Sequence, residues 1–445
     1  MKPAKFLRDL FLVGSGQAGS MVATTIQALV LARWLGPNVY GLWISILATF
    51  TFLCAFFSFR TADALIAFWP LGKEGRTADR STLFYSSLYV EILTKTVAIS
   101  FGFLISPSLA NQIDSSHEKL PFAIIALCGF GKLLEVNAPF WMGLVRVEGR
   151  LRVLAIVSAS QSWCALLLTG VAMLLLPPTA IVAAVSYFVS QCIGFCIRWR
   201  TTFAQGGIKD NVGCWTSLIS SFKARNEVLP FWRMMKAGYV ASCLSSIVKE
   251  SDVLIVGLLG SASHVGLFKV AKSMATAVQR ANAVLGVVIT RDLVLAIRNG
   301  SGHKIKRKVQ ELWPWALAVV VGLFAAGLFC IEPVLRMLLG NAYADSKTPF
   351  ILMLPGVLIA AAMFWVQPLA VAMQASSSIL RVAIWNFAVY CVAVFLGALL
   401  FGPWAAAAAL SVAWIFGNVA LLISVWPLLT KDRASIEFGG RTDVS

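Results

Sequence analysis

Ten charged side chains lie in or near the apolar stretches of this 445-residue sequence, where a charge needs a partner or a use. A charge at the centre of a bilayer costs about 2.5–3.5 kcal/mol on insertion scales. These side chains are therefore expected to pair, to reach an interface or to line a wet cavity. The cations are Lys95, Lys132, Lys249, Lys269, Lys272 and Arg280, and the anions are Glu91, Glu135, Glu250 and Asp252.

Polar residues recur at helical spacing in three of these stretches, so that each set shares one face of a helix. We interpret these faces as the lining of a cavity. The alternative is that they join neighbouring helices by hydrogen bonds. The three sets are Gln17, Ser20, Thr24 and Gln27; Ser242, Ser245, Lys249 and Asp252; and Lys269, Lys272, Thr276 and Arg280.

Three further charge pairs have the spacing of neighbours on one helix. Glu91 and Lys95 lie four residues apart, and Lys132 and Glu135 lie three apart. For both pairs, a structural ion pair and a role in lining the cavity stay open. Arg60 and Asp63 lie three apart at the end of an apolar stretch. An interfacial salt bridge is the simpler interpretation of that pair.

The composition shows which elements must position these charges. Hydrophobic residues make up 59% of the chain, charged residues only 13%, and the mean hydropathy is +0.81. Soluble domains are near 45–50% apolar and 25% charged, so a soluble globule is excluded. The sequence predicts an all-α polytopic membrane protein with twelve transmembrane spans. These are residues 10–33, 42–60, 82–106, 121–144, 152–176, 180–197, 237–259, 265–290, 313–331, 349–372, 381–401 and 404–428.

The formal net charge of +17 is explained by loop asymmetry rather than by nucleic-acid binding. By our count, 27 Lys and Arg residues lie on the side of the termini, including the long loop 197–236, and only four lie in the opposite loops. The positive-inside rule therefore predicts that both termini are cytoplasmic.

Two halves with the same orientation are predicted from short internal matches. LGPNVYGLW after the first span matches LGSASHVGLF after the seventh, at an offset of 224 between Gly36 and Gly260. GRLRVLAI matches SILRVAI at an offset of 229 between Arg152 and Arg381. We predict parallel repeats around a central cavity. The predicted parts are a six-helix half at 1–200, a basic cytoplasmic linker at 201–236, a second six-helix half at 237–430 and a cytoplasmic tail at 431–445.

Motifs for catalysis and for metal or cofactor binding are absent from the sequence. It contains no HExxH, GxSxG, P-loop or paired-carboxylate pattern. The nine cysteines form no CxxC pair, and the three histidines stand far apart. We therefore predict no catalytic residue, no bound metal and no cofactor.

Three segments carry a family resemblance. LARWLGPNVYGLW followed by FRTADALIAFWP resembles the first helical hairpin of bacterial polysaccharide transporters. DVLIVGLLGSASHVGLFKVA resembles their seventh-to-eighth hairpin, and FGPWAAAAAL the segment before their last span. With the spacing of the spans, the chain resembles the polysaccharide-transporter branch of the multidrug/oligosaccharidyl-lipid/polysaccharide exporter superfamily, which includes O-antigen and exopolysaccharide lipid flippases.

The resemblance implies a flippase in the bacterial inner membrane that moves an undecaprenyl-diphosphate-linked oligosaccharide by alternating access. Partners implied are this anionic lipid, membrane lipids, a coupling H⁺ or Na⁺ and polysaccharide-assembly proteins. An ion-coupled multidrug or small-molecule antiporter of the same superfamily is the alternative, and an enzyme such as a polymerase is disfavoured. Asp252 and Asp63 are the candidates for ion coupling. Alternatively, Asp252 is a partner that holds Lys249, three residues earlier, when no substrate is bound. The candidates for substrate binding are Lys249, Lys272, Arg280, Lys269, Arg60, Lys95, Lys132, Gln17 and Gln27.

Overall fold

The computed structural model describes most of the apolar stretches as helices. The described residues are 3–59, 61–62, 65, 80–113, 122–148, 150–203, 235, 239–240, 242–276, 302–373 and 375–429. Of the candidate residues, Arg60, Asp63 and Arg280 lie outside this set, and Gln17 is described only by its helical backbone.

The described elements are α-helices, short turns and 3-10 helices, because a chain within hydrocarbon must satisfy its backbone hydrogen bonds internally. They are α1 (Pro3–Phe56), α2 (Arg80–Ile113), α3 (Phe122–Leu133), α4 (Ala138–Val147), α5 (Leu151–Leu175), α6 (Ala180–Phe203), α7 (residues 242–250), α8 (Asp252–Leu259), α9 (residues 262–276), α10 (Gly302–Leu339), α11 (Lys347–Ala362), α12 (Val366–Ala372), α13 (Ser376–Phe401) and α14 (Ala405–Val425).

Seven helical segments within the described residues are long and apolar enough to cross a membrane. Two of them, Ala18–Phe56 and Ser378–Val425, have 39 and 48 residues. Because about 20 residues span a bilayer, each of these two is long enough for two crossings. The seven segments therefore correspond to nine of the twelve predicted spans. The described parts of the other three are helical as well, except at Ser251. The prediction of an all-α polytopic membrane protein is confirmed.

The helices pack in two groups along the chain. In the first group α1 packs against α2, α3, α5 and α6, and in the second α14 packs against α11 and α13. The groups meet where α1 contacts α8 and α10, and where α2 contacts α8. The boundaries of the predicted halves at residues 200 and 237 fall at or beside undescribed stretches, so they stay a prediction.

Helix interruptions fall at related positions of the two groups. A 3-10 helix, Leu134–Asn137, separates α3 from α4, and a turn beginning at Met363 separates α11 from α12. Leu134 and Met363 are 229 residues apart, which is the offset between Arg152 and Arg381. The interruptions therefore follow the internal repeat.

The two groups also touch through glycines at related positions. Gly36, with φ 73°, bends α1 between the first and second spans, and Gly260 ends α8 at the corresponding place. A Cβ on Gly41 would lie 1.7 Å from the carbonyl oxygen of Ala262, and one on Gly266 would lie 2.3 Å from that of Pro37. Only glycine lets the two backbones approach so closely. This reciprocal contact, the glycine contact, lies at the end predicted to face the periplasm.

Candidate functional site

Charged side chains from both groups of helices lie near the middle of their apolar segments. Lys95 is central in the segment Leu83–Ser108, and Lys132 is central in Phe122–Arg146. Asp252 lies between the ends of the predicted seventh span. Substrate sites of transporters with internal repeats lie near the bilayer midplane. The layer of the structure that contains these charged side chains is therefore the candidate site.

The first part of the site is an ion pair between α8 and α9. Lys272 Nζ lies 2.8 Å from Asp252 Oδ2 and 2.9 Å from Oδ1. The same ammonium donates to the backbone carbonyl of Lys249 at 2.7 Å. Asp252 is fully buried, and the side chain of Lys272 is only 13% exposed. The sequence suggested Lys249 as a partner for Asp252, whereas the structure places Lys272 there.

This ion pair stabilises a break between α7 and α8. The amide of Val253 donates to Asp252 Oδ1 at 2.8 Å, and the carbonyl four residues earlier, that of Lys249, accepts from Lys272. Carboxylate and ammonium thus satisfy the two backbone groups that would bond to each other in an unbroken helix. Beside them, the Ser251 hydroxyl lies 3.3 Å from the hydroxyl of Tyr390 on α13. A discontinuous helix at midplane depth is typical of transporter binding sites.

The second part of the site is a cluster around the 3-10 helix Leu134–Asn137. Lys132 Nζ lies 3.1 Å from both carboxylate oxygens of Glu135, and the hydroxyl of Tyr187 on α6 donates to Glu135 Oε1 at 3.1 Å. Of the two interpretations of this pair, the structure therefore shows an ion pair. Lys132 also lies within electrostatic range of Glu250, at the end of α7. The two parts of the site are thus electrostatically connected.

The third part of the site lies on α2 and has a different arrangement. Glu91 is buried and accepts a hydrogen bond on Oε1 from the Thr61 hydroxyl at 2.5 Å. Glu91 and Lys95 interact electrostatically, but among the described residues no ion pair or hydrogen bond involves the Lys95 ammonium. Lys95 is itself only 8% exposed. Cys54 on α1 lies within electrostatic range of Glu91, Lys95 and the Lys132–Glu135 pair.

A buried network next to this site was missed from the sequence. Arg198 was counted among the cations of the loop after the sixth span, but α6 continues to Phe203 and buries its guanidinium. That guanidinium donates to Asn137 Oδ1 at 2.8 Å, to Gln161 Oε1 at 2.7 Å and to the Leu134 carbonyl at 3.2 Å. Arg198 thereby holds in place the 3-10 helix that contains Glu135. The only signal of this network in the sequence was the presence of two polar residues, Asn137 and Gln161, within apolar stretches.

The polar face of the first span contacts a helix of its own group. Ser20 Oγ lies 2.6 Å from Ser162 Oγ, and Gln27 Nε2 donates to Thr169 Oγ1 at 3.1 Å, both partners being on α5. These are the contacts of the alternative interpretation, in which polar residues join neighbouring helices. A role of Gln27 in binding substrate is therefore not supported by its contacts.

The remaining candidate cations on these helices are less buried or differently placed. Lys249 is exposed at the end of α7, and Lys269 on α9 is partly buried. Both have interaction partners of their own. The structure thus brings Lys272, the backbone of Lys249 and Asp252 together, and it places Lys95 and Lys132 within electrostatic range of Glu135.

Comparisons with known structures identify the fold. The structure superposes on a lipid II flippase MurJ in an inward closed conformation with a TM-score of 0.70 at 13% identity, over 94% of this chain and 87% of that one. It superposes on a multidrug resistance MATE family transporter in an inward-facing conformation with a TM-score of 0.70 at 11% identity, over 92% and 94% of the two chains. For the Vibrio cholerae MATE transporter VcmN in its bent form the TM-score is 0.56 at 13% identity, over 97% and 98%.

Sequence comparison identifies the family. No individual curated protein matches this sequence significantly. The family described as polysaccharide biosynthesis protein matches residues 6–289, which is more than half of the chain. The chain therefore belongs to the polysaccharide biosynthesis protein family, and it has the fold of the multidrug/oligosaccharidyl-lipid/polysaccharide exporter superfamily.

Proposed function

We propose that this protein is a flippase for an undecaprenyl-diphosphate-linked oligosaccharide, moved across the bacterial inner membrane by alternating access. The observation that carries the proposal is the set of lysines on the apolar helices, with Lys95 and Lys132 from the first group and Lys272 from the second. In this layer Lys95 is buried without an ion pair among the described residues. A buried cation without an ion-pair contact is a functional candidate within a membrane.

The chemistry of the substrate fits this layer. A diphosphate is anionic and strongly hydrated, so it crosses hydrocarbon only where cations replace its water. Charge-assisted hydrogen bonds from ammonium to phosphate are about twice as strong as neutral ones. They also strengthen where the effective dielectric constant is below that of bulk water. The lipid tail, in contrast, can remain in the bilayer throughout.

The ion pair of Asp252 with Lys272 links substrate binding to a conformational change. A diphosphate that reaches Lys272 competes with Asp252 and with the Lys249 carbonyl for the same ammonium. Transfer of Lys272 to the phosphate would remove the hydrogen bond that satisfies the Lys249 carbonyl at the break between α7 and α8. Binding would then favour a rearrangement of these helices, because a ligand shifts a conformational equilibrium by its differential affinity for the two states.

An ion-coupled antiporter for organic cations is the second candidate. Four carboxylates, those of Glu91, Glu135, Glu250 and Asp252, lie in the same layer and would suit a cationic substrate. However, Glu135 and Asp252 are already bound to Lys132 and Lys272. This arrangement favours the anionic substrate. No catalytic role is proposed for any residue, since family and fold are those of transporters.

The rate at which the Lys95→Ala variant flips the lipid tests the proposal. We expect the initial rate of flipping to fall about tenfold or more, because removal of a hydrogen bond to a charged group costs about 1.5–3 kcal/mol. The measurement is transbilayer movement of a fluorescent lipid-diphosphate-linked oligosaccharide in proteoliposomes. Lys95→Arg, which keeps the charge, should retain most of the activity.

Lys347→Ala is the matched control, since Lys347 is a partly exposed cation that pairs with Glu332 at 2.9 Å outside the site. It should flip the lipid as fast as the unchanged protein. A wild-type protein that does not flip the lipid but exchanges organic cations for protons would contradict the proposal and establish the antiporter.

The orientation is proposed from loop charge. Because Lys and Arg gather in the loops on the side of the termini, a reporter enzyme fused at residue 215 and one fused at the C-terminus should both report a cytoplasmic location. Alkaline phosphatase and green fluorescent protein fusions at the same two positions give opposite signals and serve as mutual controls. A periplasmic signal at both positions would contradict the proposed orientation and place the glycine contact on the cytoplasmic side.

A further inference from the structure

The buried carboxyl of Glu91 is a group that the proposed diphosphate site does not use. Glu91 is 1% exposed and lies on α2, within the apolar segment Leu83–Ser108. Its Oε1 accepts from the Thr61 hydroxyl, whereas its Oε2 is buried and has no hydrogen-bond partner. Buried polar atoms are nearly always hydrogen-bonded, so this oxygen requires an explanation.

The surroundings of Glu91 contain one nearby opposite charge. Lys95, one turn away on the same helix, is the described charged group that acts on Glu91. Among the described side chains of the elements packed against α2, the titratable and charged groups are Arg33, Tyr40 and Cys54 on α1, Cys128 and Lys132 on α3, Glu135 in the 3-10 helix, Arg146 on α4 and Asp252 on α8. Lys132 and Glu135 neutralise each other, Asp252 is bound to Lys272, and Arg146 is exposed.

We propose that Glu91 is a proton-binding site, with the proton carried on Oε2, and that its protonation is linked to binding of the anionic head at Lys95. A proton taken from water neutralises the carboxylate and leaves the Oε1 contact with Thr61 in place. Lys95 then remains as a positive charge without an ion-pair contact beside it. A carboxyl buried without an ion pair is stabilised by this neutralisation.

The linkage follows from electrostatics. While Glu91 is ionised, its negative charge offsets that of Lys95 and repels an approaching phosphate. Once Glu91 is protonated, the same ammonium attracts the phosphate with its full charge. Proton and anion therefore strengthen each other's binding, because the coupling between two sites is reciprocal. The proton site stands on the geometry of Glu91 alone, whereas the linkage to the anion rests on the proposed function.

Infrared difference spectroscopy tests the proton site without any substrate. The full-length protein in nanodiscs should show the carbonyl stretch of a protonated carboxyl, and its intensity should fall as the pH rises. Glu91→Gln should lack that band, because glutamine keeps the size of the side chain and an oxygen for Thr61 but carries no titratable proton. Glu332→Gln, which alters an ion-paired carboxylate outside the site, should keep it. The same titrating band in Glu91→Gln would overturn the proton site.

Calorimetry with a short-chain isoprenyl diphosphate tests the linkage. Titrations in buffers of different ionisation enthalpy should show uptake of about one proton per bound diphosphate, and the affinity should fall by up to about tenfold per pH unit as Glu91 loses its proton. Glu91→Gln should bind the probe with no proton uptake and little pH dependence. Binding to the wild type without proton uptake would overturn the linkage and leave the flippase proposal intact. A Glu91 infrared band together with no diphosphate binding at any pH would retain the proton site and contradict the flippase proposal.

Discussion

Asp252→Ala is expected to lower the free energy of unfolding by about 3–5 kcal/mol, because it leaves the buried ammonium of Lys272 without its partner. It also removes the acceptor for the Val253 amide at the break between α7 and α8. The measurement is chemical unfolding of the purified protein in detergent. Export should be lost as well, since the broken helix belongs to the candidate site.

A double substitution separates stability from function. Asp252→Leu combined with Lys272→Met replaces both charges by apolar side chains of similar size, and such replacements of buried ion pairs are often neutral or stabilising. We expect most of the stability to return while export stays absent, because the cation proposed to contact the phosphate is gone.

The matched control is an ion pair of similar length at the surface. Glu332 accepts from Lys347 at 2.9 Å and from Arg336 at 2.8 Å, and its side chain is 36% exposed. Exposed pairs contribute about 0–1 kcal/mol, so Glu332→Ala should cost far less than Asp252→Ala. Equal costs would mean that the Asp252–Lys272 pair does not stabilise the broken helix.

The break between α7 and α8 shows what the sequence could not provide. Spacing along one helix places Lys249 three residues before Asp252, and this suggested them as partners. The structure pairs Asp252 with Lys272, twenty residues later on α9, because the hairpin folds that helix back alongside α8. Sequence spacing gives neighbours within a helix, but it does not give the rotation of one helix against the next. Position 251 is also a serine and not a glycine or proline, so the residue type there did not indicate the break either.

Polar faces were recognised in the sequence, but their partners were not. The face with Ser20 and Gln27 was correctly assigned to one side of a helix, since both residues contact α5. Whether such a face borders a cavity or a neighbouring helix depends on packing, which one span does not specify. Arg198 shows the opposite case, because a cation near a helix end resembles a loop residue until the length of α6 is known.

The internal repeat, in contrast, was visible in the sequence and predicts structure at several positions. LGPNVYGLW and LGSASHVGLF were matched by their letters alone. Their glycines then form the reciprocal glycine contact between the two groups of helices. Gly41 and Gly266 stand at positions where two backbones touch. This physical constraint explains why the two sequence segments match there.

The double variant Gly41→Ala with Gly266→Ala is expected to separate the two groups of helices at this end. Each new Cβ would lie well inside the van der Waals distance of a backbone oxygen, that of Ala262 at 1.7 Å and that of Pro37 at 2.3 Å. Backbone on both sides offers no flexible side chain that could move away. Overpacking of this kind costs about 1–3 kcal/mol, which shifts the equilibrium away from the closed arrangement by about 5- to 150-fold.

The matched control is Gly170→Ala with Gly322→Ala, because a Cβ at either position meets nothing within 4 Å. Alanine favours a helix over glycine by about 0.5–1 kcal/mol, so the control should be at least as stable as the unchanged protein. The measurement is the distance between spin labels at Asn38 and Ser263, on either side of the glycine contact. That distance should lengthen and flipping should fall for the double variant only, since alternating access requires this end to close. Unchanged distances in the Gly41 and Gly266 variant would show that the contact is not needed for closure.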